Sequence, residues 1–335
     1  MNELCAIYID SGTTNTRVWL IRGEQIIAHT GATVGVRDTA RDGSPVRLRT
    51  ALRELIAEVS NHPAAQGSSP AFVASAGMIT SSLGLVEVPH VAAPAGIDEL
   101  AAKIRRCDFP DITPLPILLV PGVRSGPLEV DLDSVATADL MRGEETVCVG
   151  LMATGLASTP CTVINLGSHW KVINIDQKGR ITGSLSSLTG ELIHTTQTQT
   201  ILASAVPHTR PEFLAQSWIE AGMREQRRSG LARAMFCVRL LEQGGRSTPE
   251  ERLAFLVGAF IASDLDALTA QGALIEPVVI TGGGAIAEVW QREIERLSIS
   301  VKLVAAEDFE RALLAGLREI TARALPIIGR EKNID

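Results

Sequence analysis

The chain has 335 residues, with 31 Lys plus Arg against 38 Asp plus Glu, a formal charge of −7. That length predicts two domains, and 45% hydrophobic with 21% charged residues argues against a mainly disordered chain. The acidic balance argues against nucleic acid or an anionic membrane as the main partner, and only 4% of residues are aromatic, too few for a single-strand stacking platform.

Five widely spaced cysteines, Cys5, Cys107, Cys148, Cys161 and Cys237, form no CxxC pair, so neither a disulfide framework nor a thiolate metal site is expected. Met1 runs directly into an apolar stretch without a basic leader, and no apolar run reads as long enough to span a bilayer. The expectation is a reduced, cytoplasmic protein.

In chain order, residues 4–10, 16–23 and 24–32 read as strands, with Gly23 at a turn. Residues 47–60 place Leu48, Leu52, Leu55, Ile56 and Val59 at helical spacing. Short strands follow at 71–75 and 116–123, loops at 62–70 and 121–127, and a helix at 144–154. Residues 161–184 then repeat the opening pattern of strand, small-residue turn, strand, Gly turn and strand. At an offset of 155, Gly12 meets Gly167 and Thr13 meets Ser168. The repeat predicts two domains on one plan, 1–140 and 141–335. Residues 189–272 carry four amphipathic helical stretches. A strand at 277–284, a helix at 286–297, a strand at 300–304 and a helix at 307–325 complete the chain.

Three glycine-containing turns stand out. In the first, Asp10 closes a strand and Gly12, Thr13, Thr14 and Asn15 follow. Such a turn offers backbone N–H groups and hydroxyls to a phosphate, and a carboxylate at the strand end suits hydrated Mg²⁺. An ordinary polar hairpin has the same composition. Asn165 to Lys171 is the equivalent turn of the repeat. There Gly167 and Ser168 can cradle phosphate and Lys171 can counter its charge, although a solvated strand lysine and a surface His169 read the same way. In the third, Val279 to Glu288, a strand runs into Gly282, Gly283 and Gly284 and then a helix, a place for a nucleotide base and ribose or a plain glycine turn. No GxxxxGK[ST] is present, which excludes a P-loop.

Asp139 to Thr146 packs Arg142 beside the carboxylates Asp139, Glu144 and Glu145. One carboxylate can serve as a base and Arg142 can hold an anion, or the glutamates can simply favour a helix N-terminus. Between Glu144 and Glu145, neighbours on a helix diverge by about 100°, and Glu144, next to Gly143, is favoured. The small-residue turns Ser75–Ser82 and Leu188–His194 can both touch substrate.

Asp-x-Gly-Thr-Thr, the second Gly-Ser turn and the late Thr-Gly-Gly-Gly together resemble the hexokinase–actin superfamily of ATP-dependent kinases. More closely, DSGTTNTRVWL, SAGMITSSLG, VPG, MRGEET, NLGSHWK and LTGEL resemble, in that order, motifs of the 2-dehydro-3-deoxygalactonokinase family, covering residue 9 to about 195. Ser11 stands where that family commonly has Trp, Trp170 where it has Cys, and segment 121–140 is longer than expected. The resemblance implies an α/β fold of two duplicated ribonuclease-H-like, actin-like βββαβαβα domains with an ATP cleft between them. It implies transfer of the ATP γ-phosphate, with Mg²⁺, to the terminal 6-hydroxyl of 2-dehydro-3-deoxy-D-galactonate. Asp10 falls to the metal, and the catalytic group to Glu144, Glu145 or Asp139. Gly12, Thr13, Thr14, Asn15, Gly167, Ser168 and Lys171 fall to phosphate, and Gly282, Gly283 and Gly284 to the nucleoside. Arg17, Gly77, Met78, Ser81, Arg142, His169 and Glu191 fall to the sugar acid. The alternatives are a kinase of the same fold for another sugar or sugar acid, or a nucleotide-binding regulator without phosphotransfer. The partners expected are ATP and a small sugar acid, with no nucleic acid or membrane, and the oligomeric state stays open, a homodimer included.

Overall fold

The computed structural model describes residues 4–331. The chain divides into two compact units. Unit 1 runs to Ala157 and takes in Gly179–Gly183 and the chain from Glu310 on; unit 2 holds Ser158–Lys178 and Ser184–Phe309.

Unit 1 opens with β1 (Cys5–Ser11), β2 (Thr16–Arg22) and β3 (Gln25–Ala32), then α1 (Val36–Asp42) and α2 (Val46–Asn61). There follow β4 (Val73–Gly77), β5 (Val91–Ala92), α3 (Ile97–Ala101), β6 (Arg105–Cys107), β7 (Ile117–Leu119), β8 (Val123–Ser125), β9 (Asp139–Met141) and α4 (Glu144–Ala153). Its main sheet has the order β3-β2-β1-β4-β7-β6. The predicted periodicity of α2 holds: Leu48, Leu52, Leu55, Ile56 and Val59 are buried against β1 and β4 residues such as Ile7, Ile9 and Val73.

Unit 2 contains β10 (Cys161–Leu166), β11 (Trp170–Ile175), most of β12 (Ile181–Ser187), α5 (Thr189–Gln199), α6 (Gln216–Ser229), α7 (Leu231–Gly244) and α8 (Pro249–Ala270). It closes with β13 (Val278–Gly282), α9 (Ala285–Glu295), β14 (Val301–Val304) and the start of α10 (Ala306–Glu331). Its sheet has the order β12-β11-β10-β13-β14. Strand by strand this repeats β3-β2-β1-β4-β7, with antiparallel hairpins followed by parallel pairs in both sheets. The duplicated α/β plan read from the sequence is therefore present. The four helical stretches between 189 and 272 are α5 to α8. Of these α8 is apolar on all sides from Leu253 to Ala262, and it is long and apolar enough to cross a membrane by length and composition, contrary to the sequence reading. Its Leu253, Phe255, Leu256, Phe260 and Ile261 are packed in the core of unit 2, as expected for a central helix.

Two features depart from the sequence reading. Residues 121–127 were expected to be a loop, but they contain β8, which pairs with β5 and β9 in a separate three-stranded sheet. Pro121 and Gly122 end the run that began at β7, and Gly122 lies so close to Met141 that a Cβ would stand 2.2 Å from its carbonyl oxygen. Strands of two or three residues carry too little alternation to be seen in a sequence.

The second departure concerns the ends of unit 1, which includes α4 and most of α10, so it reaches past the boundary expected near 140. The cause is a close helix crossing. A Cβ on Gly150 of α4 would stand 1.6 Å from Ala312 O, and one on Gly316 of α10 would stand 1.9 Å from Thr146 O. Only glycine allows backbones to approach this far, so the contact is fixed by two positions 166 residues apart in the chain (316 − 150). Gly150→Val is expected to destabilise unit 1 by about 3 kcal/mol or more through overpacking. A chemical denaturation midpoint equal to wild type would refute that crossing.

Candidate active site

In unit 1 the first turn is built at the end of β1. Asp10 pairs in register with Arg17 of β2 on one side and with Ala76 of β4 on the other. The Gly12 N–H donates to Asn15 O at 2.9 Å, closing the turn. The start of α1 supports it from behind, with Val36 and Arg37 N–H groups donating to the carbonyls of Gly12 and Thr13. This approach requires a glycine at residue 35, where a Cβ would stand 2.5 Å from Thr13 O. Thr13 and Thr14 are half-buried and Asn15 is exposed.

Asp10 Oδ2 accepts from the Arg17 guanidinium at 2.7 Å. Gly77, at the end of β4, lies beside Ser11 and Asp10: with φ +91°, a Cβ there would be 2.9 Å from Ser11 O and 3.5 Å from Asp10 Oδ1. Gly143 in turn lies against Gly77, a Cβ on it falling 3.3 Å from the Gly77 Cα. This contact brings the N-terminus of α4 to the Asp10 turn. Arg142, one residue earlier, donates to Thr80 Oγ1 at 2.9 Å and lies 3.4 Å from His90 Nδ1. Burial lowers the Arg142 pKa, with Glu145 and Glu87 acting against it. Asp10, Arg17, Gly77 and Gly143 thus form one cluster within unit 1, with Arg142 and Glu144 on either side of Gly143 in the chain. Met78 and Ser81 belong to the short turn after β4, where Ser81 Oγ donates back to Met78 O.

Glu144 and Glu145 are separated as their positions on α4 require. Glu145 is fully buried, and both of its carboxylate oxygens accept from the Gly143 N–H at 2.9 Å. It therefore caps its own helix. Burial, reinforced by the neighbouring Glu144, raises its pKa to about 7. Glu144 is half-buried. Asp139 lies in β9 opposite Ser125, on the wall of a cavity of about 700 Å³ with His90, Arg124 and Leu128.

In unit 2 the corresponding turn joins β10 to β11. Gly167 is half-buried, and Ser168 and His169 are exposed. Leu166 pairs with Gly282, so the Gly282–Gly284 segment emerges beside this turn. All three glycines have positive φ, and a Cβ on Gly283 would press to 2.8 Å from the Leu166 side chain. Lys171 is a buried strand residue whose ammonium donates to Ser186 Oγ at 2.6 Å; it is not the solvated lysine that the sequence also allowed. His169 Nε2 lies 3.2 Å from Glu191 Oε2, both exposed. Among the described residues no group of three or more His, Cys, Asp or Glu side chains could hold a metal by itself.

The sequence profile of the 2-keto-3-deoxy-galactonokinase family matches residues 10–320. This chain belongs to that family. A relative from Rhizobium meliloti (strain 1021), named "Probable 2-dehydro-3-deoxygalactonokinase DgoK1", is 27% identical over 312 residues, 92% of this chain and 94% of its own. The Escherichia coli (strain K12) protein named 2-dehydro-3-deoxygalactonokinase is 25% identical over 316 residues, 94% of this chain and 96% of its own. A crystal structure from Sinorhizobium meliloti, assigned as a candidate 2-dehydro-3-deoxygalactonokinase, superposes with a TM-score of 0.73 over 96% of this chain and 99% of its own, at 24% identity. An activator of 2-hydroxyisocaproyl-CoA dehydratase from Clostridium difficile, with bound ADPNP, shares the fold at a TM-score of 0.52 and 14% identity, over 97% of this chain and 98% of its own.

Within this member of the 2-keto-3-deoxy-galactonokinase family, sequence reasoning missed Thr80 and His90, the partners of Arg142, and Asp264, which accepts from Ser187 and Thr189. Thr80 lay inside a motif already singled out. His90 and Asp264 had no local signal, because each gains its neighbours only through the fold.

Proposed function

We propose that this chain is an ATP-dependent kinase that phosphorylates the 6-hydroxyl of 2-dehydro-3-deoxy-D-galactonate. The observation that carries the reading is the end-to-end similarity to relatives named for that activity, more than nine-tenths of both chains being covered. The cluster around Asp10 in unit 1 supports the chemistry. The Gly12–Asn15 turn and the Gly167–Ser168 turn, with Lys171, hold ATP phosphates through backbone N–H groups and charge. Gly282–Gly284 takes the nucleoside. Arg142 takes the acceptor's carboxylate, with Arg17, Gly77, Met78, Ser81, His169 and Glu191 as further substrate contacts. Glu144 receives the proton of the acceptor hydroxyl as its oxygen bonds to the γ-phosphorus and the bond to the β–γ bridging oxygen breaks, releasing ADP.

The donor set fits Mg²⁺, which keeps several waters and is usually held by one or two carboxylates plus substrate phosphates. Asp10, placed at the phosphate turn, is the carboxylate that would hold it. When bound, the ion neutralises phosphate charge. The residues of the chain do the remainder: they position the acceptor and remove its proton.

An ADP-release assay coupled to a panel of 2-keto-3-deoxy sugar acids tests the proposal. The galactonate derivative is expected to give the highest kcat/KM, in the presence of Mg²⁺. ADP release that no member of the panel accelerates would end the kinase reading; a different preferred acid would move only the substrate.

A further inference from the structure

The Gly167–Ser168 turn does not stand alone. The first turn of α5 lies directly on it. A Cβ on Gly190 would fall 2.3 Å from Gly167 O and 2.6 Å from Ser168 O, so the two backbones touch. Such a contact transmits any shift of α5 to the turn. The preceding residue, Thr189, is buried and its hydroxyl donates to Asp264 Oδ2 at 2.7 Å. Ser187 Oγ reaches the same oxygen at 2.8 Å and lies 3.0 Å from Thr189 Oγ1. Asp264 comes from the fifth turn of α8, the central helix of unit 2, and is half-buried. One carboxylate thus accepts from both hydroxyls at the point where β12 passes into α5.

Its surroundings do not supply another reason for a carboxylate. Asp264 lines a cavity of about 160 Å³ whose other walls are mainly apolar, among them Ile164, Trp170, Val172 and Trp290. An acid in such a place costs solvation, and burial raises its pKa while the two hydroxyls act to lower it. An apolar residue would pack there more cheaply if packing were its only task.

We propose that Asp264 is a positioning residue for ATP: through Ser187 and Thr189 it holds the start of α5 against the Gly167–Ser168 turn and so sets the geometry of that turn. This rests on the reading that the turn binds phosphate. A small misplacement of a positioning element can cost about 100-fold in rate.

Steady-state kinetics of Asp264→Ala, Asp264→Asn and Thr189→Val in the full chain test it, with ATP and sugar acid varied separately and thermal melting recorded. Asp264→Ala is expected to raise KM for ATP by about 10-fold or more and leave KM for the sugar acid unchanged. Thr189→Val should shift KM for ATP in the same direction. Asp264→Asn, which keeps an acceptor oxygen, should recover much of the loss. A purely structural role would lower the melting temperature and leave KM for ATP alone. Wild-type KM for ATP in folded Asp264→Ala, or in Thr189→Val if the alanine variant does not fold, would overturn the inference. Gly167→Val separates the two readings, since a Cβ at that position meets only His169 O, at 3.6 Å. If Gly167→Val weakens ATP while the Asp264 variants do not, only the positioning role fails. If ATP use is unchanged in Gly167→Val as well, the turn is not a phosphate site and both readings fall.

Discussion

Asp10→Asn is expected to lower kcat by about 10³-fold or more while the melting temperature stays near wild type, because removing the carboxylate removes the charge that would face Mg²⁺ and the phosphates. The fold should tolerate the change. The Asp10–Arg17 pair is partly solvent-exposed, with 23% and 41% of the side chains accessible, and a pair of that kind contributes about 1 kcal/mol or less. The carboxamide also keeps the shape and an acceptor oxygen for Arg17. There is a competing account, in which Asp10 matters only because it orients Arg17. Arg17→Met separates the two. If Asp10 serves the metal–phosphate end, Arg17→Met should act mainly on KM for the sugar acid, with kcat falling far less than in Asp10→Asn. If the two variants share one kinetic defect, Asp10 acts through Arg17. A folded Asp10→Asn enzyme with wild-type turnover rejects both.

The glutamates at the start of α4 should divide their labour. Glu144→Gln is expected to lower kcat by about 100-fold or more with little change in melting, the loss typical of a removed general base. Glu145→Gln should do the opposite. Its carboxylate is engaged with the Gly143 N–H and buried from water, so it cannot reach an acceptor without unmaking the cap. Its pKa in the folded chain stands at about 7 against 4.5 in its ordinary state. A raised acid pKa means that the folded state binds this proton more tightly than the unfolded one. The stability it contributes is therefore present below about pH 4.5 and is lost as pH rises through about 7, an effect on the order of 3 kcal/mol. Wild-type stability should accordingly decline between about pH 4.5 and pH 7, and the decline should be largely absent in Glu145→Gln. Denaturation curves across that range, alongside kcat for both variants, decide the matter. If turnover survives in Glu144→Gln and collapses in Glu145→Gln or Asp139→Asn, the base has been misassigned; if all three variants turn over normally, no carboxylate of this segment is the base.

Local pattern carried the repeat, the three turns and the helix of residues 47–60, because each is written in neighbouring residues. Asp10 followed by Gly12 fixes a strand end and a tight turn, and the recurrence at Gly167 and Ser168 shows that the plan is used again. Leu48, Leu52, Leu55, Ile56 and Val59 specify one buried face by spacing alone. The sequence also brought Arg142, Glu144 and Glu145 into view, and the 100° step between neighbours on a helix required the two glutamates to part. Which of them turns inward was decided by tertiary structure: Gly143, with φ +112°, places its N–H where the Glu145 carboxylate folds back onto it, while Gly77 of β4 packs against the same glycine. The small sheet of β5, β8 and β9 escaped notice because its strands are too short to show alternation and gain their stability from partners far along the chain. The inclusion of α10 in unit 1 depended on Gly150 meeting Ala312, and the tie from Asp264 to Thr189 depended on α8 passing beneath the start of α5. Contacts between residues distant in sequence leave no periodic mark on either partner, so only the folded chain reveals them.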